Sequence, residues 1–319
     1  MVNLSSLATE IINGRRLNRS DDLSFFCDCD LSELTKQADR IRAHFRGDKV
    51  NLCTIINAKS GQCGENCRFC AQSAHNHTSC AHYGFISSDK IISEAKANNK
   101  EGIKRVGLVT AGKALTGEEF EKAIDTYNLM RSEVNMEMCA SMGFISKEQL
   151  EKLKASGVTH YHCNIETSRA YFPKICTTHT FDMKIEQIKK AQEVGLLVCS
   201  GGIIGMGEAM EDRIDMALTL SELKVESIPL NALNAIKGTP FEDLTPLTQD
   251  EILRVVAVFR FINPEADIRF AAGRKLLGEN GRAAFESGCS AALTGNMLTT
   301  TGTTIKSDLA LLASMNRQY

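Results

Sequence analysis

Short apolar runs alternate with amphipathic stretches along most of the chain. Runs of strand character fall at 53–58 (CTIINA), 104–110 (KRVGLVT), 135–141 (NMEMCAS), 159–165 (THYHCNI), 196–202 (LLVCSGG), 226–231 (ESIPLN), 267–271 (DIRFA) and 289–294 (CSAALT). Between them lie helical patterns such as SSDKIISEAKANNKEG, TGEEFEKAIDTYNLMRSE, SKEQLEKLKASG and DMKIEQIKKAQEVG. Several close on glycine, which accepts the left-handed conformation that ends a helix. Eight strands alternating with helices predict a parallel α/β sheet, most economically a TIM-type (β/α)8 barrel. A doubly wound open sheet is the alternative that this pattern leaves open. Residues 1–50 read as a helical amino-terminal extension plugging the barrel bottom, and 51–319 as the barrel with a carboxy-terminal tail. The turn signals at Gly238-Thr239-Pro240 and Asn263-Pro264 are local, so a single globular domain is expected.

Composition narrows the function classes. The 319 residues carry 37 basic and 39 acidic side chains, a net charge of -2, which offers no basic surface for nucleic acid. No apolar run approaches the ~18 residues needed to cross a bilayer. The opening MVNLSSLATEIINGRRL has no apolar export segment, and there are twelve cysteines. Together these predict a reducing cytoplasm and thiols used for metal rather than disulfides.

Three of those thiols, Cys63, Cys67 and Cys70, sit in GQCGENCRFCAQS with spacing C-x3-C-x2-C. Four-iron clusters want four ligands, normally all cysteine, so a tight triad leaves one iron open for chemistry. Zinc usually takes paired C-x2-C units, and no second pair exists here. Three core cysteines within eight residues beside Gly61 and Gly64 would be an odd use of buried thiols. The triad follows the first strand directly, which puts it at the barrel mouth, where active sites of this architecture lie.

Polar residues also appear where strands should be apolar. Alternation in THYHCNIETS places His160, His162, Asn164 and Glu166 on one face, which is costly to bury without partners or a ligand; a solvated strand end is the other reading. Asn231, ending the sixth strand, offers a donor and an acceptor suited to a urea-like group, or caps a turn. In VCSGGIIGMGE the glycines, Gly201, Gly202 and Gly205 among them, permit close backbone approach to a cofactor. Glu208 there reads equally as a solvated helix-start carboxylate.

The stretches KSGQCGENCRFCAQSA, NIETS, CTTHTF, VCSGGIIGMGE, NALNAIKGTP, IRFAAGRK and LTGNMLTTTG, in that order, resemble the biotin synthase family of radical S-adenosylmethionine enzymes from about Asp22 to the end. The resemblance implies sulfur insertion between two unactivated carbons of dethiobiotin. Cys63, Cys67 and Cys70 would hold a [4Fe-4S] cluster that reductively cleaves S-adenosylmethionine to a 5′-deoxyadenosyl radical. Asn164 and Asn231 would contact the ureido ring. Glu166, an Asp in the family, would lie near the adenosyl ribose and substrate, with the Gly201, Gly202 and Gly205 loop against the cofactor. A flavodoxin- or ferredoxin-type electron donor and a homodimer are implied too, and no side chain is assigned acid–base catalysis.

The family also keeps an auxiliary two-iron cluster on three cysteines and an arginine. Cys139, Cys199 and Arg269 match three of these, but Gly107 stands where the strand-two cysteine belongs, and Ala271 replaces a Ser. The C-x-C pair Cys27 and Cys29 suggests compensation, since i and i+2 side chains share a face in extended chain. The expectation is an auxiliary, four-iron cluster on Cys27, Cys29, Cys139 and Cys199 that supplies the sulfur, with Cys53 the substitute ligand. Cys80, Cys163, Cys176 and Cys289 read as structural. His75, His77 and His82 are assigned no ligand role. Competing readings are a hydrogenase-cofactor maturase or methylornithine synthase of the same subgroup, or an iron–sulfur electron carrier.

Overall fold

A computed structural model describes residues 2–299 and 302–319; of the stretch LTGNMLTTTG, Thr300 and Thr301 lie outside the described residues. The strands are β1 (Asn51–Lys59), β2 (Arg105–Thr110), β3 (Glu137–Ser141), β4 (Val158–His162), β5 (Leu197–Cys199), β6 (Gly202–Ile204), β7 (Ser227–Ala232), β8 (Asp267–Phe270) and β9 (Ala291–Leu293). All pair in parallel in the order β5-β4-β3-β2-β1-β9-β8-β7-β6, and a β5–β7 pairing at Cys199–Ser227 closes the sheet. β5 and β6 are two halves of one stave, so the barrel has the eight staves expected and the open sheet is excluded.

The break in that stave has a steric cause. A Cβ on Gly201 would lie 2.0 Å from the Pro229 carbonyl oxygen, and one on Gly202 would lie 2.3 Å from the Glu166 carbonyl oxygen. Only glycine lets the chain cross so close to its neighbours.

The helices are α1 (Leu4–Ile12), α2 (Leu31–Arg46), α3 (Ser88–Lys100), α4 (Gly117–Glu133), α5 (Lys147–Ala155), α6 (Phe181–Glu193), α7 (Met210–Glu222), α8 (Gln249–Ile262), α9 (Arg282–Phe285) and α10 (Ile305–Ser314). Their starts follow local rules: Ser146 with Gln149, and Thr248 with Glu251, form reciprocal capping boxes at α5 and α8. The amino-terminal extension lies against α8, and Arg46 at the end of α2 pairs at 2.6 Å with Asp267 at the start of β8. Leu34, Ala38 and Ile41 form a helical stripe with no exposed surface, and α2 uses it to pack along α8, with α1 stacked on α2. The physical reason is the apolar α8, buried at every position from Val255 to Ile262, which needs a cover on its outer side. After β9 the chain returns through Met297, Leu298 and Thr299 over the barrel interior. The tail is held by the buried Arg274–Asp308 ion pair at 2.8 Å.

Candidate active site

The triad loop follows β1 and is held by its own backbone and one amide. The Ala74 N–H donates to the Cys63 carbonyl at 2.7 Å. Asn76 Nδ2 donates to the carbonyls of Cys67 and Cys70 at 3.2 and 2.8 Å. Gln62 takes φ 54, a left-handed conformation rare outside glycine. Cys63, Cys67 and Cys70 are half-buried, free of disulfides, and all three line one cavity of about 450 Å³. That cavity fills the barrel interior, which in an ordinary barrel is packed with aliphatic layers.

A second set of thiols lines the same cavity nearer the amino-terminal ends of the strands: Cys53 on β1, Cys139 on β3 and Cys199 on β5. Arg269 on β8 joins them, its Nη1 donating to Cys53 Sγ at 3.1 Å. The guanidinium is fixed by the Asn51 and Ala292 carbonyls, each at 2.9 Å, and by Ser227 Oγ at 3.3 Å. Ser227 in turn lies 3.6 Å from Cys199 Sγ. Burial pushes all three thiols up from their ordinary range, while Arg269 and Arg105 beside them favour the thiolate. His160 and His162 face this region; burial pulls each down to about 4, so both are neutral at neutral pH. Gly107 lines the wall beside Cys139, where a Cβ would lie 3.7 Å from the Cys139 Cβ.

Cys27 and Cys29 do not reach this set. Fully buried Phe26 packs edge-to-face on Phe261 of α8, ring centroids 5.5 Å apart, and carries the segment onto the outer helices. Cys27 Sγ lies 4.0 Å from Glu211 of α7 and Cys29 Sγ lies 3.6 Å from Arg254 of α8. The barrel wall therefore separates them from Cys139 and Cys199, and the C-x-C hypothesis is corrected on position. Cys53, the substitute ligand, is the thiol that the fold brings to Cys139 and Cys199.

Between the two thiol sets lie the amide residues. Asn164 accepts from the Gly201 N–H through Oδ1 at 3.0 Å. Asn231 donates to the Gly202 carbonyl at 3.2 Å and accepts from the Ala272 N–H at 3.1 Å. Both line the cavity, as does Glu166, whose φ of 71 marks a conformation costly for a non-glycine residue. Gly201, Gly202 and Gly205 are absent from the cavity wall, where Ile203 stands instead. Gly201 and Gly202 serve the strand crossing described above. Glu208 is not solvated: its carboxylate accepts the Gly205 and Met206 N–H groups at 2.8 and 2.7 Å and pairs with Arg213 at 2.7 Å.

Two site features escaped the sequence reading. Lys184, 4.0 Å from Glu166, faces the cavity from α6; its signal was a lysine on the helical stripe of Phe181, Ile188 and Ala191, which are buried. Cys176, which the sequence presents as a structural thiol, has its Sγ 3.7 Å from Cys67 Sγ. They are 109 residues apart, so no local spacing reveals it.

Comparisons with known proteins agree with this arrangement. A family profile described as the Radical SAM superfamily matches residues 59–220, and one described as the Biotin and Thiamin Synthesis associated domain matches 229–318. The chain is similar to the biotin synthase of Alkaliphilus metalliredigens (53% identical, covering 98% of this chain and 99% of the other). It is similar also to that of Clostridium beijerinckii (52%, covering 98% and 99%). Among solved structures, methylornithine synthase superposes with a TM-score of 0.83 at 19% identity, covering 98% of this chain and 96% of that one. At that identity the likeness speaks for the fold alone. Among the described residues, no helix is long and apolar enough to cross a membrane.

Proposed function

Since the chain belongs to the biotin synthase family of radical S-adenosylmethionine enzymes, we propose that it inserts sulfur into dethiobiotin to form biotin. The observation that carries this reading is one cavity with a cysteine set at each end and two asparagines between.

The mouth residues fit a [4Fe-4S] cluster. Three free, half-buried thiols on one loop supply three ligands and leave one iron for S-adenosylmethionine. When bound, this pair supplies one-electron reduction and abstraction of a hydrogen atom from a substrate C–H bond. The protein's part is placement and exclusion of water. Asn164 retains an unused amide donor, and Asn231, with one N–H on Gly202 and one lone pair taken by Ala272, keeps a second of each, which together match a ureido group. Lys184, buried beside Glu166, is placed to hold a carboxylate of cofactor or substrate.

The inner residues fit an auxiliary iron–sulfur cluster as sulfur source, held by Cys53, Cys139 and Cys199 with Arg269 as fourth partner or counter-charge. The convergence of Arg269 on Cys53 at 3.1 Å supports this set. Ser227, level with Cys199, and Asn231 lie on the same strand, four residues or about 13 Å apart at ~3.3 Å per residue. A substrate bridging the asparagines therefore sits between the radical source and the sulfur. Twelve free thiols and oxygen-labile clusters suit a reducing cytoplasm. The family resemblance supports a flavodoxin- or ferredoxin-type electron donor and a homodimer.

The test is anaerobic reconstitution followed by one turnover with S-adenosylmethionine, a reductant and dethiobiotin. Biotin formation with loss of sulfide from the auxiliary site is expected. Cleavage of S-adenosylmethionine with no biotin at any dethiobiotin concentration would remove the sulfur-insertion reading.

A further inference from the structure

A buried polar network lies directly behind the triad loop. Cys176, 4% exposed, points its sulfur at Cys67 Sγ 3.7 Å away. Its other neighbours are Asn66 Oδ1 at 3.4 Å, Thr178 Oγ1 at 3.5 Å and His179 Nδ1 at 3.3 Å. His179 makes a close pair with buried Glu65, which also accepts from Thr178 Oγ1 at 2.8 Å. The segment 175–179 is tied to the triad loop by the Arg68 N–H on the Ile175 carbonyl at 2.9 Å. No element of the reading above uses this network.

The partners can be counted. Asn66 Oδ1 already accepts the backbone N–H groups of Thr177 and Thr178 at 2.9 and 3.2 Å. The Thr178 hydroxyl proton goes to Glu65, and the His179 Nδ1 proton is best placed on the same carboxylate. As a free thiol Cys67 donates to Cys176, whose own S–H goes to Asn66 Oδ1. As an iron-bound thiolate Cys67 has no proton, so the same 3.7 Å contact becomes a hydrogen bond only when the Cys176 S–H turns from the crowded Asn66 Oδ1 to Cys67 Sγ. A thiolate bound to iron still accepts hydrogen bonds, and donors to the sulfurs of a cluster stabilise the more negative, reduced form.

We propose that Cys176 is a positioning residue for the radical-generating cluster: it donates its S–H to Cys67 and, held by Glu65 and His179, raises the reduction potential of that cluster. The inference rests on the reading that Cys67 ligates iron. It gives a role to one cysteine and one histidine of CTTHTF that would otherwise be spare. Separation of the sulfurs by 3.7 Å places Cys176 against Cys67 itself, not across the cluster as a fourth ligand.

The experiment is a reductive titration of the reconstituted, S-adenosylmethionine-free protein, following the S = 1/2 signal of the reduced [4Fe-4S] cluster by EPR. Variants are Cys176→Ala, which removes the donor, and Cys176→Ser, which keeps one. At a fixed potential, Cys176→Ala lowers the reduced-to-oxidised ratio roughly threefold, the size of one weak hydrogen bond. Cys176→Ser keeps the ratio near that of the native protein. His179→Gln, which loosens the support, falls between. Equal ratios in all four proteins overturn the proposal, and so does an equal fall for Ala and Ser, which would report packing alone. If the native protein itself shows no four-iron signal, the failure belongs to the cluster reading instead.

Discussion

The two cysteine sets of the cavity are built on opposite plans. At the mouth, Cys63, Cys67 and Cys70 lie within one loop, and their geometry is decided by local hydrogen bonds such as Asn76 to the Cys67 and Cys70 carbonyls. In the interior, Cys53, Cys139 and Cys199 come from three strands, and only barrel closure brings them together. A loop tolerates little change in its spacing, because all three ligands move with one backbone. A set spread over staves can exchange one stave's contribution for another's, because neighbouring strands present side chains to the same cavity. Gly107 on β2 pairs with Ile55 of β1, and Cys53 stands two residues before Ile55 on the same cavity wall, so the thiol is offered one stave over and one inward position lower.

The largest expected effect lies in the loop. Replacing Cys63, Cys67 or Cys70 with Ala leaves two ligands where three are needed. S-adenosylmethionine cleavage then falls to background and the protein loses about four irons per chain. Radiolabelled or chromatographic assay of cleavage, with iron analysis, checks this. A variant that still cleaves the cofactor would show that the loop is not the cluster site.

The next contrast separates Cys53 from the C-x-C pair. Cys53→Ala is expected to lower auxiliary iron and single-turnover biotin by an order of magnitude or more, with cofactor cleavage retained. The double change Cys27→Ala/Cys29→Ala is expected to leave both within about twofold, since these thiols pack on Glu211 and Arg254 outside the barrel. The reverse outcome would restore the C-x-C hypothesis and require the amino-terminal segment to leave Phe261.

Legibility followed the same division. The staves and the triad could be read from the chain because apolar period and C-x3-C-x2-C spacing are local properties. Asn164 and Glu166 could be placed on the face of His160 and His162 by alternation, though β4 itself ends at His162. The inner set could not be read this way. Whether Cys53 or Cys29 joins Cys139 depends on what Phe26 packs against, a tertiary question with no signature in spacing. The glycines of VCSGG permit close approach to the Pro229 and Glu166 backbones, and a sequence does not say whose atoms come near. Lys184 left one local trace, its place on the buried stripe of α6, whereas the Cys176 contact joins residues 109 apart and is invisible until that segment is docked.

The dryness of the inner set makes a pH prediction. His160, 3% exposed, is held at about 4 by burial and by Arg105, against an ordinary 6.5. Its folded-state value is depressed, so unfolding below pH 6.5 takes up a proton that the native state refuses. The contribution is fully present above pH 6.5 and is lost as pH falls from 6.5 to about 4. At ~1.4 kcal/mol per unit this amounts to about 3 kcal/mol at most. Urea unfolding of cluster-free protein should show the decline, and His160→Gln should flatten it. An unchanged slope in that variant would mean that the inner region admits water.

The smallest expected effect on folding is also the sharpest test of the exchange between staves. A Cβ at Gly107 would meet Ile55 Cγ2 at 3.5 Å and Cys139 Cβ at 3.7 Å, ordinary van der Waals contacts. Gly107 is not among the residues of positive φ, so a side chain brings no backbone strain. Gly107→Cys should therefore change stability by no more than about 1 kcal/mol. In native background the added thiol is expected to change iron content little if Cys53, two residues before the Gly107 partner Ile55, supplies the ligand. In the Cys53→Ala background it should recover most of the lost auxiliary iron, since the thiol returns to the stave where the family carries it. Recovery in the double variant, with none for a Gly107→Ser control, would establish that Cys53 and position 107 are alternative solutions to one coordination problem. Failure to recover, in a protein that folds and keeps its mouth cluster, would mean that Cys53 holds iron in a geometry β2 cannot reach.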